Sequence, residues 1–292
     1  MIICDWLDVT FPADGCPYPD TNRLLLDAGF LVETARDRST YRYRPPKPHR
    51  GIVVIEHRSR WARISASGGA CSYLRQIARW DDYLWCLAGG GTLPHTVTRL
   101  DAAFDASVDA SYVLESLHAR HGGLVNLGRK SIETSRILSV RDDGKVSGSW
   151  YAGYNSSAKA TARVYDKSLQ MLQKFGEVVP VTTRYEVTAW KGYGATLRDA
   201  GAPESIFWHI ASPALLQAPE GVPMWQPNTE PGWKSEPPAF DPAALLKRRV
   251  ESLAELDALL MVADELGPNG RSYLLHLMQR RLGVSAQEAK AS

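Results

Sequence analysis

Through residues 2–190 the chain enters, again and again, short segments rich in Ile, Val, Trp, Phe and Tyr in which apolar and polar side chains alternate. A period of two is that of a β-strand with one dry and one wet face, so this chain must build a sheet and bury one side of it. The segments fall at 2–11, 39–44, 51–67, 95–105, about 135–140, 147–153, 159–166 and 178–190, with Asp143-Gly144 as a hairpin turn. Helical spacing interrupts them at 21–30, 71–88 and 109–121, the last capped by Asp109 and stopped by Gly122-Gly123. The expected fold class is α+β, an antiparallel β-sheet core flanked by helices.

Seven prolines within residues 219–242 mark a linker, and Asp241-Pro242 is a cap-plus-first-position start for a helix to about Leu266. Gly267-Pro268 stops it, and Arg271–Leu282 supplies a second helix, which predicts a C-terminal helical hairpin. The predicted organisation is an α+β domain over 1–216, a Pro-rich linker over 217–241 and the hairpin over 242–292.

Lys+Arg 34 against Asp+Glu 32 leaves a net charge of +2, so attraction to a polyanion must come from local clustering. Between Arg36 and Arg63 nine cations face two acids, Asp37 and Glu56. Four cysteines without CxxC spacing exclude a disulfide scaffold and a zinc ribbon. No apolar run approaches the ~20 residues of a membrane helix, and the N-terminus lacks a signal-peptide pattern, so the expectation is a cytoplasmic protein with no membrane partner.

Three segments carry chemistry: Thr98–Asp105, Ala162–Lys167 and Thr183–Val187. Strand parity places Arg99, Asp101, Ala103 and Asp105 on one side of the first, Arg163, Tyr165 and Lys167 on one side of the second, and Arg184 with Glu186 on one side of the third. Tyr185 then points to the core, and Asp166 stands on the apolar side near a strand end. If the strands are neighbours, one face collects carboxylates for a hard divalent ion, cations for charge developing at phosphorus, and an oxygen nucleophile. Arg163 and Lys167 beside Tyr165 would favour its phenolate. For any one segment alone the wet side of a half-solvated sheet is the better account; it is the coincidence of all three that points to chemistry.

Together these motifs resemble the replication initiation factors of rolling-circle plasmids and filamentous phages, a family that includes relaxases of some integrative elements. The resemblance covers most of residues 4–191: the opening Asp5–Phe11 strand, Arg99-Leu100-Asp101 with Asp105, Tyr151–Ser157 leading into Arg163-Val164-Tyr165-Asp166-Lys167, and Arg184-Tyr185-Glu186. It implies that Tyr165 is a nicking nucleophile, assisted by Lys167, Arg163 and Arg184. It implies Mg2+ or Mn2+ held by Asp101, Asp105 and Glu186, of which Asp101 and Glu186 are the safer pair. The implied reaction leaves a 5′-phosphotyrosyl enzyme and a 3′-OH primer at an origin in a bacterial host cytoplasm, with host helicase and polymerase as partners. Tyr151, Tyr154 or a second subunit of a homodimer would supply the second cleavage. A relaxase nicking a transfer origin uses the same bond exchange, and a non-catalytic origin-binding protein would keep the fold. The His-apolar-His metal pair of other rolling-circle nucleases is absent, which favours carboxylate ligands.

Tyr41–Arg44 and His57–Arg63 interleave cations with aromatics, a composition that tracks a phosphate backbone and stacks on bases. Arg42, Arg44, Arg58, Arg60, Trp61, Arg63 and Arg99 are therefore the expected DNA contacts, although a solvated edge hairpin protected by arginines fits the first six as well. His118 and His121 are expected as helix-end residues rather than metal ligands, and Gly89-Gly90-Gly91 lacks the Lys-Ser/Thr of a nucleotide-binding loop.

Overall fold

The computed structural model describes residues 1–34, 39–127, 130–140, 146–153, 158–212 and 214–227, all within one compact unit, Met1–Ser235. The chain runs β1 (Ile2–Pro12), α1 (Tyr18–Asp27), β2 (Leu31–Thr34), β3 (Thr40–Arg44), β4 (Val53–His57), β5 (Trp61–Ser67), α2 (Gly68–Gln76), α3 (Trp80–Ala88), β6 (Thr96–Ala106) and α4 (Ala110–His121). It continues through β7 (Leu124–Leu127), β8 (Lys130–Val140), β9 (Val146–Ala152), β10 (Ala160–Asp166), α5 (Lys167–Phe175), β11 (Thr183–Trp190), α6 (Leu197–Gly201) and α7 (Glu204–Ala211). The expected α+β sheet forms as a single 11-stranded layer in the order β2-β3-β4-β5-β1-β6-β11-β10-β9-β8-β7, and every pairing is antiparallel.

One face of this sheet is dry. Leu7, Val9, Phe11, Tyr43, Ile55, Ile64, Leu100, Val164, Trp150 and Val187 are all essentially inaccessible. Helices α2, α4, α6 and α7 pack against the strands, and α3 sits against α1, α2 and α6. Helix α7 brings Phe207 and Trp208 within 6.4 Å of Phe104, and Tyr185 joins this cluster, 6.3 Å from Phe104, on the core side as parity predicts. Full burial of each large apolar side chain contributes on the order of 1.5–3 kcal/mol, which is what fixes register so firmly: a one-residue slip would exchange the two faces. Helix α5 buries only Ser168 of its own residues.

Some elements differ from their sequence reading. The helix expected over 71–88 is two helices, broken where Ala78 adopts φ 55, because that left-handed residue cannot continue a right-handed helix. The strand read over 51–67 turns back on itself as β4 and β5, closed by Arg58 N–H donating to Trp61 O at 2.8 Å. The strand read from 178 begins at Thr183. Helices α5, α6 and α7 and strands β2 and β7 were not foreseen; elements of four to nine residues span too few periods to register. Asp109 caps α4 as expected, accepting from Ser111 N–H at 2.9 Å. The Asp143-Gly144 turn, Tyr154, most of the Pro-rich linker and the whole C-terminal helical hairpin lie outside the described residues. Among the described residues no helix is long and apolar enough to cross a membrane.

Candidate active site

The three chemistry-bearing segments are β6, β11 and β10, and they are direct neighbours in the order β6-β11-β10. Register then stacks their polar side chains in rows. Tyr165 pairs with Arg184, which pairs with Asp105. One step along, Arg163 pairs with Glu186 and Glu186 with Ala103; a step further, Thr161 pairs with Thr188 and Thr188 with Asp101. Directly opposite residues in an antiparallel pair share a face, so all of these side chains meet on the side of the sheet away from the core.

Glu186 lies at the centre. Arg163 Nη2 donates to both of its carboxylate oxygens at 2.8 Å, and the Tyr165 hydroxyl donates to Oε2 in a long hydrogen bond of 3.4 Å. Arg99 grips Asp101 through two bonds, Nε to Oδ1 at 2.9 Å and Nη2 to Oδ2 at 2.6 Å. Arg184 grips Asp105 in the same way at 2.6 Å on both arms. Planar fork-on-fork pairs of this kind fix orientation as well as charge. The guanidinium of Arg163 also lies 4.5 Å from the centre of the Tyr165 ring, and Lys167 Nζ lies 6.0 Å from it.

Lys167 is the first residue of α5 rather than the last of the strand. Its ammonium donates to Gln170 Oε1 at 2.8 Å, and its pKa is lowered, first by burial and then by the Arg184 charge. Asp166, the apolar-side exception at the strand end, is buried and caps α5, accepting from Leu169 N–H at 2.8 Å and from the hydroxyls of Ser168 and Ser147 at 2.6 Å.

The expectation that Arg163 and Lys167 favour the Tyr165 phenolate is overturned. The phenol is pushed above its usual range, chiefly by burial and next by the Glu186 carboxylate, against which the Arg184 and Arg163 charges are insufficient. Both arginines are already committed to acids, so each delivers a largely neutralised charge to the ring.

Asp5 belongs to the site and was missed. Its carboxylate meets Arg184 Nη1 at 2.9 Å, which makes Arg184 a bridge between Asp5 and Asp105. The β1–β6 register slips between Cys4 and Trp6; this bulge turns Asp5 out of the alternation that would align it with buried Leu7. A Cβ at Gly68, the first residue of α2, would stand 2.6 Å from Asp5 Oδ1, so glycine there is what leaves room for the carboxylate. The sequence signal was an acid aligned by parity with apolar Leu7, Val9 and Phe11 in the opening strand, but parity alone sends it to the wrong face.

A pocket of about 310 Å³ opens beside the tyrosine, lined by Ser149, Tyr151, Arg163, Tyr165, Gln170 and Lys174 among others. Tyr151 is directly opposite Arg163 across the β9–β10 pair. Tyr165 itself is only 5% exposed, yet its hydroxyl faces carboxylate and guanidinium rather than the apolar interior.

The residues fit a divalent ion only in part. Asp101 is buried, and its pKa is pushed up to about 7, first by burial and then, against the Arg99 hydrogen bond, by the Glu186 charge. Two buried carboxylates that repel one another suit a cation, and Mg2+ typically takes one or two carboxylates with water and substrate phosphate completing its shell. Among the described residues no three His, Cys, Asp or Glu side chains converge as a cage. Asp105, four residues and roughly 13 Å along β6 from Asp101, is instead held by Arg184.

Comparison with known proteins adds a fold-level similarity. No family model and no curated protein matches the chain. Among solved structures it is similar to the rolling circle replication initiator protein from Geobacillus stearothermophilus, with 17% identity over 65% of this chain and 74% of that one and a TM-score of 0.44. A second similarity, to the di-domain ARO/CYC BexL from the BE-7585A biosynthetic pathway, has 12% identity over 75% of this chain and 100% of that one and a TM-score of 0.19. Overlaps this loose carry no argument about activity, and the chemistry has to be read from the residues themselves.

The expected DNA contacts lie along the same wet face. Arg42 on β3, Val54, Ser65, Asp8, Arg99 and Trp190 form one row across six strands through successive register pairs. Arg58 and Arg63 share Glu56, the latter at 2.9 Å, and Arg44 meets Glu33 at 3.3 Å. Arg42 and Arg60 make no ion pair among the described residues, and Trp61 is partly exposed at the start of β5. His121 sits in the last turn of α4, its Nε2 2.7 Å from Ala214 O, and all four cysteines are free.

Proposed function

We propose that this protein is a metal-dependent DNA nicking and joining enzyme that initiates rolling-circle replication. The observation that carries the reading is the hydrogen bond from the Tyr165 hydroxyl to Glu186 Oε2 on a face shared with buried Asp101 and three arginines. The phenol oxygen attacks the scissile phosphorus, the bond from phosphorus to the 3′ oxygen breaks, and the 5′ end becomes a phosphotyrosyl ester. Glu186 Oε2 is the nearest acceptor for the phenolic proton, and the departing 3′ oxygen takes up a proton to leave a 3′-OH primer. Joining reverses each step.

Arg163 and Arg184 flank the tyrosine, and although their charge is largely offset by Glu186, Asp5 and Asp105, their guanidinium N–H groups would donate to phosphoryl oxygens where the phosphorane becomes more anionic. Lys167, with its pKa already lowered, would give the leaving oxygen its proton. Asp101 and Glu186 are the residues that would hold Mg2+ or Mn2+. Such an ion, when bound, polarises a phosphoryl oxygen and lowers the pKa of a coordinated hydroxyl, the two things this site lacks with its phenol raised. Origin DNA is the substrate this reading requires, with strand separation and synthesis left to host helicase and polymerase.

The test is incubation of the protein with supercoiled plasmid carrying its own element's origin and Mn2+, followed by peptide mapping of the covalent adduct. An adduct on Tyr165 that vanishes in Tyr165→Phe is the expected result. Adduct formation by that variant would reject the nucleophile, and no cleavage by the wild type would leave a non-catalytic origin-binding protein.

A further inference from the structure

We propose that Trp6, Arg99 and Trp190 form a base-stacking platform that holds single-stranded DNA leading toward Tyr165. The inference rests on the nicking reading for its substrate but on different residues for its evidence. The Arg99 guanidinium lies 4.6 Å from the centre of the Trp6 ring and 5.1 Å from that of Trp190. Three flat, polarisable groups therefore lie side by side on the wet face of the sheet.

Each is locked by its own polar bond. Trp6 Nε1 donates to Asp8 Oδ1 at 2.7 Å, Trp190 Nε1 to Thr161 Oγ1 at 3.1 Å, and Arg99 to both oxygens of Asp101. Indoles on the polar side of a sheet do nothing for the core, and Trp190 stays 38% exposed. Rigid aromatic faces that lose little entropy on contact are what sequence-tolerant stacking on unpaired bases uses.

Charge selects the occupant. Lys159 and Lys191, both exposed, adjoin Trp190 and make no ion pair among the described residues. Arg42 ends the same row at the far side, five strand spacings or about 24 Å away. Between Arg42 and Trp190 the row carries Val54, Ser65, Asp8 and Arg99, one apolar side chain among polar and charged ones, too polar for an amphipathic helix of a protein partner. Aromatic planes among cations instead match a nucleic-acid strand whose bases are unpaired. Along β11, Trp190 lies six residues from Arg184, the residue opposite Tyr165. That is roughly 20 Å, on the order of six nucleotides at 3.4 Å each.

Anisotropy of fluorescein-labelled dT20, a dT20 analogue with consecutive abasic sites at its centre, and a 20-base-pair duplex tests this on the full chain. Trp190→Ala and Trp6→Ala are expected to weaken dT20 binding about ten-fold each, Trp190→Phe to stay within about two-fold, and duplex binding to change little. Wild-type protein is expected to bind the abasic analogue about ten-fold more weakly, with no further loss in Trp190→Ala. Unchanged dT20 binding in both alanine variants, or equal losses on dT20 and the abasic analogue, would overturn the platform; the abasic comparison on wild type needs no folded variant. Abasic discrimination without any covalent adduct would reject nicking and keep the platform, whereas adduct formation without discrimination would do the reverse.

Discussion

The Tyr165 hydroxyl donates to the same Glu186 carboxylate that Arg163 holds through both oxygens at 2.8 Å. One acid thus orients the tyrosine, neutralises the arginine and raises the phenol's pKa, with burial as the larger cause of that rise. Glu186→Gln separates these roles. The Tyr165 phenol is expected to titrate lower, since a like charge is gone, while nicking falls at least about a hundred-fold. Carbon-13 labelling of tyrosine rings, with Tyr165→Phe to assign the signal, reads the first; gel-resolved nicking reads the second. A Tyr165 pKa that rises in Glu186→Gln would contradict the geometry.

Asp101 sets a pH dependence. With its folded pKa pushed up to about 7 and an unfolded value near 3.9, the folded protein carries a proton that the unfolded chain has already lost between about pH 4 and 7. The unfolded state binds fewer protons there, so stability falls as pH rises through that window. Asp5, also raised, first by burial, adds to the slope. Thermal melts from pH 4 to 8 should show this decline, shallower in Asp101→Asn. Added Mg2+ should raise the melting temperature more at pH 8 than at pH 5; an equal shift at both would count against Asp101 as a ligand.

Arg184 is buried and bridges Asp5 and Asp105 at 2.9 and 2.6 Å. Removing it leaves two acids without their shared partner, so Arg184→Met should cost about 2–4 kcal/mol in urea melts. Asp5→Asn should cost less, about 1 kcal/mol, because Asp105 remains. A double-mutant cycle between Asp5 and Arg184 is expected to show coupling above about 0.5 kcal/mol; additivity would mean that the bulge contact is not made in solution.

Glu56 holds Arg58 and Arg63 back from solvent charge, while Arg42 and Arg60 have no such partner among the described residues. Arg42→Ala and Arg60→Ala should each reduce the slope of log binding constant against log salt on single-stranded DNA by about 0.7. Glu56→Gln should strengthen binding at low salt, by about two- to five-fold, since it frees two cations. If Arg58→Ala changes the slope as much as Arg42→Ala, the ion pairs with Glu56 do not restrain these arginines.

The sequence by itself settled which side chains share a face. Alternation within Thr98–Asp105, Ala162–Lys167 and Thr183–Val187 is a property of one extended backbone, so Arg99 with Asp101, Arg163 with Tyr165 and Arg184 with Glu186 could be grouped before any fold was known. The same rule sent Tyr185 inward, where it is buried. It failed at Asp5, because a bulge is a mismatch between two strands and leaves no mark on either alone. It failed also on the Tyr165 pKa, because the charge reaching the phenol depends on which acid each arginine has taken.

Only the tertiary structure decided that β6, β11 and β10 lie side by side, that Glu186 sits between Arg163 and Tyr165, and that Asp105 turns to Arg184. Strand order and partner choice join residues scores of positions apart, chosen by which register buries the apolar face most fully. Periodicity is written within each strand, but pairing is settled only when the strands compete for the same core.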